Sequence, residues 1–353
     1  MISRFDGNPI ASTRNQSMNE IRRITYSEAL NEALREEMER DSSVYIVGED
    51  IAKIGGLFDV TKGLLQEFGP TRVIDTPISE AAIAGAGIGG AMAGARPVIE
   101  FQFSDFMTIA MDQIVNHAAK LRYMTGGQVR IPVVMRAPIC SGIGMGAQHS
   151  QSLESWFVHI PGLVVIMPST PYAAKGLLKA AIRDDNPVVF LENRRLYSIR
   201  GQVPGKDEIL PIGKAEVVRE GTSATVVATG RMVRVAEGAA RKLSRAGIEL
   251  EIIDPRTLKP LDTDTILDSV RKTRRAVVMN EACRTCGFAA EVAATIGEFL
   301  HDELEAPVLR ITAKDSPMPV SQVLEREILP GEQDLLDALQ QLLPELKNKA
   351  DTT

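Results

Sequence analysis

Cysteine is scarce. Only Cys140, Cys283 and Cys286 occur in 353 residues, too few for the disulfide scaffold of a secreted protein, and a reducing cytoplasm fits better. Basic charge is not in excess. Forty Lys and Arg stand against 46 Asp and Glu, a net charge of −6, which gives nucleic-acid binding no electrostatic support. No apolar run approaches the roughly 20 residues of a membrane helix. The first 20 residues, MISRFDGNPIASTRNQSMNE, contain no apolar signal core. They read as a mobile arm, with Met18 as an alternative start. What is present is an ordinary soluble balance, 44% hydrophobic and 24% charged, at a length that predicts about two domains.

Short β-rich segments alternate with helical ones. Thr25-Tyr-Ser-Glu28 resembles a capping box, and Leu30, Leu34 and Met38 then repeat every four residues along one helix face. VYIVGED (44–50), RVID (72–75), PVIEF (97–101), IPVVMRAP (131–138), LVVIMP (163–168) and PVVFLE (187–192) read as buried strands. Residues 103–124 have helical composition, and a helix opened by proline is expected over 171–184. This alternation predicts a mostly parallel α/β sheet. SIRGQVPGKDEILPIGK (198–214) breaks it with glycine, proline and charge. A second α/β unit follows, with strands at 224–229, 248–254, 275–280 and 307–312 and helices at 232–246, 263–272 and 287–300. The division is an arm (1–20), a first domain (21–200), a linker (201–214), a second domain (215–345) and a tail (346–353).

Within DTPISEAAIAGAGIGGAMAGARPVIEF (75–101), Gly85, Gly87 and Gly90 have the spacing of a dinucleotide loop. Such a loop needs a strand directly before it and a full helix after it. SEAAIA reads as helix instead, and the next strand follows too soon. One small-residue helix over about 79–93, packed closely against a neighbour, is expected. Glu80 lies just past a strand's C-terminal end, where α/β sheets place ligands. Its neighbours Ile78, Ala81, Ala82 and Ile83 are apolar, so its carboxyl should be desolvated and its pKa raised. Two readings stand: a proton-exchanging acid, or an acid supporting the first turn of its helix.

DTPISE with its small-residue helix, RPVIEFQFSDF, DQIVNHAAKLRYM, AQHSQS, HIPGLVVIMPSTPYAAKGLL and AIRDDNPVVFLEN together resemble one family. It is the β subunit of thiamine-diphosphate-dependent 2-oxo acid dehydrogenases, of the transketolase-like superfamily. The resemblance spans about residues 22–340. LLQEFGPTRVIDTPISE and RRLYSIRGQVP resemble the acetoin dehydrogenase branch in particular. It implies two three-layer α/β/α domains, one binding the cofactor pyrimidine and one of transketolase C-terminal type. It implies that Glu80 is the acid that hydrogen-bonds the pyrimidine nitrogen and favours its imino form, so that the cofactor becomes a nucleophilic ylide. Phe106 is implied as the aromatic at the pyrimidine face; the alternative is a core phenylalanine. Glu49 is implied as a second acid on a proton path between two active sites; the alternative is a solvated loop acid. His149, in a loop made flexible by Gly142, Gly144 and Gly146, is implied as an acid–base or substrate-orienting group. His117, His159 and His301 read as structural. Potassium is implied on Val133, Ala181, Ile182, Asp184 and Asn186; the alternative is a plain helix end.

Cys283-Arg-Thr-Cys286 has no second pair to complete a zinc site. It stands where the family carries a Thr-Gly-Gly-type turn, and reads as a helix-entry turn rather than a redox or metal motif. The superfamily's diphosphate–magnesium signature, Gly-Asp-Gly followed by Asn-Asn, is absent. An α subunit is therefore expected to supply that half of the site and its magnesium, in an α2β2 heterotetramer, with the acyl unit passing to the lipoyl group of a partner acyltransferase. The other readings are a nicotinamide-dependent oxidoreductase using the glycine run, and a non-catalytic scaffold subunit. The substrate, whether pyruvate, a branched-chain 2-oxo acid or acetoin, stays open.

Overall fold

Thr25 starts the first helix as the sequence dictates. Glu28 N–H donates to its Oγ1 at 3.2 Å, and its own N–H donates to Glu28 Oε2 at 2.7 Å, which satisfies two amides that a helix start leaves free. Leu30, Leu34 and Met38 are all buried. A computed structural model describes residues 22–343; the expected arm (1–20), Met18 and the tail (346–353) lie outside the described residues.

The first part of the chain runs β1 (Arg23–Thr25), α1 (Tyr26–Arg40), β2 (Val44–Gly48), α2 (Leu64–Phe68), β3 (Val73–Asp75), α3 (Glu80–Met92), β4 (Arg96–Glu100) and α4 (Leu121–Met124). It continues through β5 (Val134–Ile139), α5 (Glu154–His159), β6 (Val164–Ile166), α6 (Pro171–Arg183), β7 (Val188–Asn193) and β8 (Arg200–Gln202). The second part comprises β9 (Glu216–Arg219), β10 (Ala224–Ala228), α7 (Arg231–Ser244), β11 (Leu250–Asp254), β12 (Thr257–Lys259) and α8 (Thr263–Thr273). After these come β13 (Ala276–Cys283), α9 (Phe288–Leu300), β14 (Leu309–Ala313), α10 (Gln322–Ile328) and α11 (Glu332–Leu342).

Two sheets result. The first has the order β12-β6-β7-β5-β4-β2-β3, parallel except for β12; the second has the order β14-β13-β10-β11-β9, parallel except for β9. Alternate residues of each buried strand feed opposite faces, as the two-residue period requires. In the first sheet Val98 and Val188 pack with Leu30 and Leu177 of α1 and α6, while Ile99 and Val189 pack with Ile88 of α3. In the second, Val226 and Ile252 pack under α7 and α11, and Val227 and Ile253 face α8 and α9. One apolar layer, containing Ile99, Phe157, Ile253 and Phe288, runs through both units.

Two segments differ from the sequence expectation. Residues 103–124 are not one helix: a 3-10 helix (Ser104–Ala110) and a π turn (Gln113–Ala118) precede α4. Asp105 is drawn sideways to Gln151, whose N–H and Nε2 both donate to its Oδ1, so the first turn winds tightly. PRTLKP (255–260), which no expected element covers, contributes β12 to the far edge of the first sheet.

Candidate active site

The sheet order fixes where a ligand can sit. The chain passes from β2 to β3 on one side, then returns to β4 on the other side of β2. Such a switch point opens a crevice at the strands' C-terminal ends. Glu49 directly follows β2. Glu80 follows β3 after a four-residue turn and opens α3. Phe106 lies in the 3-10 helix after β4, and His149 in the glycine-rich loop after β5. Four predicted residues therefore share one edge.

Glu80 is 7% exposed and Glu49 8%. Burial raises the Glu49 pKa, and the Glu80 charge, then Asp50, raises it further. The Glu80 carboxylate makes no hydrogen bond to any described residue, and Ser79 makes no side-chain cap. It does not satisfy the first-turn amides by hydrogen bonding. Thr76 Oγ1, on the approach to it, is buried without a partner. A buried carboxylate without a donor is costly, and a ligand donor would remove that cost. One expected neighbour is misplaced: Ile78 is 81% exposed and walls nothing within this chain.

His149 and Phe106 meet. The His149 ring stands edge-on to Phe103 at 4.9 Å and to Phe106 at 5.1 Å between centroids. Phe106 is half-buried. After His149 the loop is tied down by Gln151, whose carbonyl accepts from Ser104 Oγ at 3.1 Å and whose Nε2 reaches Asp105 Oδ1 at 2.8 Å.

The glycines belong to packing. All lie inside α3, and a Cβ on Gly87 would meet Ile99 Cδ1 at 2.5 Å and one on Gly90 the Tyr45 hydroxyl at 2.3 Å. No amides are left projecting from a phosphate loop.

Comparison with known proteins agrees with this geometry. The transketolase pyrimidine-binding domain matches residues 22–200, and the transketolase C-terminal domain matches 213–335. The chain is 44% identical to the β subunit of acetoin:2,6-dichlorophenolindophenol oxidoreductase of Bacillus subtilis, over 91% of this chain and 98% of that one. It is 45% identical to the pyruvate dehydrogenase E1 β subunit of Rickettsia felis and 44% to the 2-oxoisovalerate dehydrogenase β subunit of Bacillus subtilis, each over 90% of this chain and 98% of the relative. The chain belongs to this β-subunit family. A split-gene transketolase chain, described as an inactive β4 tetramer, shares the fold at a TM-score of 0.73 and 23% identity, covering 91% of this chain and 98% of that one.

The family's implied potassium segment is differently engaged. The carbonyls of Ile182 and Asp184 both accept from Arg96 Nη1 at 3.0 Å. The Val133 carbonyl accepts from Val188 N–H, the Ala181 carbonyl from Asp184 N–H, and Asn186 Oδ1 from Arg122. A guanidinium already neutralises this helix end.

Cys283 ends β13 and Cys286 precedes α9, both exposed. A Cβ on Gly287 would come within 2.3 Å of the Cys283 carbonyl, so the segment is a tight helix-entry turn. His117 lies 3.6 Å from Asp112, His159 ends α5, and His301 follows α9.

Two features escaped the sequence reading. Glu100 faces Arg136 across β4 and β5, while Glu192 lies on β7 two residues beyond Phe190, the residue that faces Arg136; the three form a buried ion triad in which Arg136 bonds both acids. The signal was available, since charges inside apolar strands must be paired. The second is Glu325, whose signal is not local.

Proposed function

We propose that this chain is the pyrimidine-binding β half of a thiamine-diphosphate-dependent dehydrogenase acting on a 2-oxo acid or acetoin. The observation that carries the reading is Glu80: a mostly buried carboxylate, without a donor among the described residues, on the sheet edge that also carries the Phe106–His149 pair. The residues fit an aminopyrimidine, which offers a ring nitrogen to the acid and a flat face to Phe106. Thiamine diphosphate supplies, when bound, a nucleophilic thiazolium carbon. Glu80 holds a proton toward the ring nitrogen. Glu49, facing the same charge, is the group that passes or receives it. His149 presents an N–H at the mouth to orient or protonate substrate.

The diphosphate half, with its magnesium, belongs to an α subunit, in an α2β2 assembly that hands its acyl unit to a lipoyl-bearing acyltransferase. Within this chain the first domain (21–200) is the pyrimidine-binding unit and the second (215–345), reached through the linker (201–214), the transketolase C-terminal unit, and the cytoplasm is the compartment that three cysteines favour. Potassium on the 181–186 turn would have to displace or share Arg96, and no step is routed through it.

Reconstitution tests the whole. The purified chain alone should show no turnover, and adding the cognate α chain, thiamine diphosphate and magnesium should restore it in an artificial-acceptor assay with pyruvate, branched-chain 2-oxo acids and acetoin as substrates. Turnover by the lone chain refutes the two-chain site. Undiminished rates after replacing both Glu80 and His149 would leave the scaffold reading.

A further inference from the structure

The loop that carries His149 is also held from far along the chain. Helix α10 spans only Gln322–Ile328, and its polarity is inverted. It turns Glu325 inward to 1% exposure while Val323 and Leu324 stay 61% and 54% exposed. An aliphatic pair faces solvent so that an acid can be buried, and a buried acid requires donors. Two are provided. Gly142 N–H donates to Glu325 Oε1 at 3.1 Å and Gly144 N–H to Oε2 at 2.8 Å. Gly142, Gly144 and Gly146 have φ of 81°, 77° and 78°, a region other residues enter at a cost. Backbone of this kind turns its amides to one side and forms a nest for an anion.

The fit is close on every side. A Cβ at Gly144 would lie 3.1 Å from the Val320 carbonyl, one at Gly146 3.1 Å from Val320 Cγ2, and one at Gly142 3.2 Å from Leu329. The glycines are thus as much a seat for residues 320–329 as a source of flexibility. With Ser104 and Asp105 anchoring Gln151 at the other end, the arc carrying His149 is clamped at both ends.

We propose that Glu325 is a positioning residue. Its carboxylate holds the Gly142–Gly146 arc so that His149 stays against Phe103 and Phe106, and the second domain thereby sets the geometry of a site built on the first. This rests on the reading of His149 given above. The experiment uses the chain reconstituted with its α subunit, in the Glu325→Ala and Glu325→Gln forms. Hydrogen exchange of the 141–152 segment should quicken at least tenfold in Glu325→Ala and less in Glu325→Gln, which keeps one acceptor, while α1 and α6 stay unchanged. The rate constant kcat should fall tenfold or more with KM moving less than threefold. In a His149→Ala background the same change should cost less than twofold. Unchanged exchange in 141–152, or a full multiplicative loss in the double variant, overturns the proposal. If Glu325→Ala does not fold, the exchange and kcat of Glu325→Gln decide alone. Wild-type rates in His149→Ala would refute the His149 reading and with it the positioning role, while faster exchange would still establish the clamp as structural.

Discussion

Replacing Glu80 by glutamine should separate stability from activity. The wild-type carboxylate is 7% exposed, has no donor among the described residues, and faces Glu49, whose pKa its charge helps to raise. A fully buried unsatisfied polar group costs about 1–3 kcal/mol, an upper bound for Glu80, whose oxygens keep some contact with solvent. Glutamine keeps the shape and removes the charge, so the chain without cofactor should gain up to that much. For about 320 ordered residues the unfolding entropy is about 0.7 kcal/mol per degree, so the gain corresponds to about 2–4 °C in Tm. Catalysis should move the other way. A neutral amide cannot hold the proton that Glu80 is proposed to hold, and loss of such a group typically costs about 10²–10⁴-fold. The assays are differential scanning calorimetry of the purified chain and turnover of the reconstituted complex. A drop in Tm of several degrees would show that Glu80 is satisfied within the chain, and wild-type turnover would show that it does not touch the chemistry. Either result refutes the reasoning, because a carboxylate kept at a cost to stability needs a functional return.

Two further outcomes follow from packing and burial. Gly89→Ala, with nothing within 4 Å of the added methyl, should stabilise the isolated chain by up to about 1 kcal/mol. Gly87→Ala must displace buried Ile99 and should lose about 1–3 kcal/mol against that gain; equal shifts in Tm would disprove close packing as the reason for the glycines. Asp254, buried at the end of β11 with Ser169 and Arg256 N–H as donors, has its pKa pushed up to about 7 by burial. Between about pH 4 and 7 the folded chain keeps a proton that the unfolded chain has released, so stability falls as pH rises through that window and levels off above it. Asp254→Asn escapes this loss and should gain on wild type from pH 5 to pH 8, on the order of 4 kcal/mol at most; a Tm difference that does not widen with pH would count against the shift.

The sequence carries the fold wherever the deciding contacts are local or periodic. Thr25 and Glu28 cap each other three residues apart, and the alternation in VVF of β7 is divided between two cores by pleat alone. Glu80 was legible for a similar reason: a strand, a short turn and a helix place it at the sheet's edge. Its nearness to Glu49 was not, because that depends on the chain crossing back over β2. The tight winding of 104–110 depends on Asp105 meeting Gln151, and β12 depends on an edge left open beside β6. Glu325 was the least legible. Its neighbours Val323 and Leu324 suggest a helix burying the opposite face, and its partners are glycine amides more than 180 residues away, which carry no side-chain signal at all.

The charge at the crevice gives a physical reason for the proposed division of the cofactor between two chains. Glu49, Asp50, Asp75 and Glu80 gather at the ends of β2 and β3, and burial with like charge already raises the Glu49 pKa. A heteroaromatic ring that offers a proton or carries partial positive charge is welcome at such an edge. A diphosphate is not, because each phosphate charge brought within a few ångströms of these acids in a partly buried crevice would meet repulsion of several kcal/mol at an effective dielectric constant of about 20. Gly-Asp-Gly and Asn-Asn are both absent from this sequence, and no group of His, Cys, Asp and Glu among the described residues is arranged to hold a metal that would screen such repulsion. An edge that serves, as proposed, to protonate the pyrimidine is for that reason poorly suited to hold the other end of the same molecule. Placing the diphosphate and its magnesium on a second chain removes the conflict, and it leaves this chain free to keep the unpaired acid on which the proposed chemistry depends.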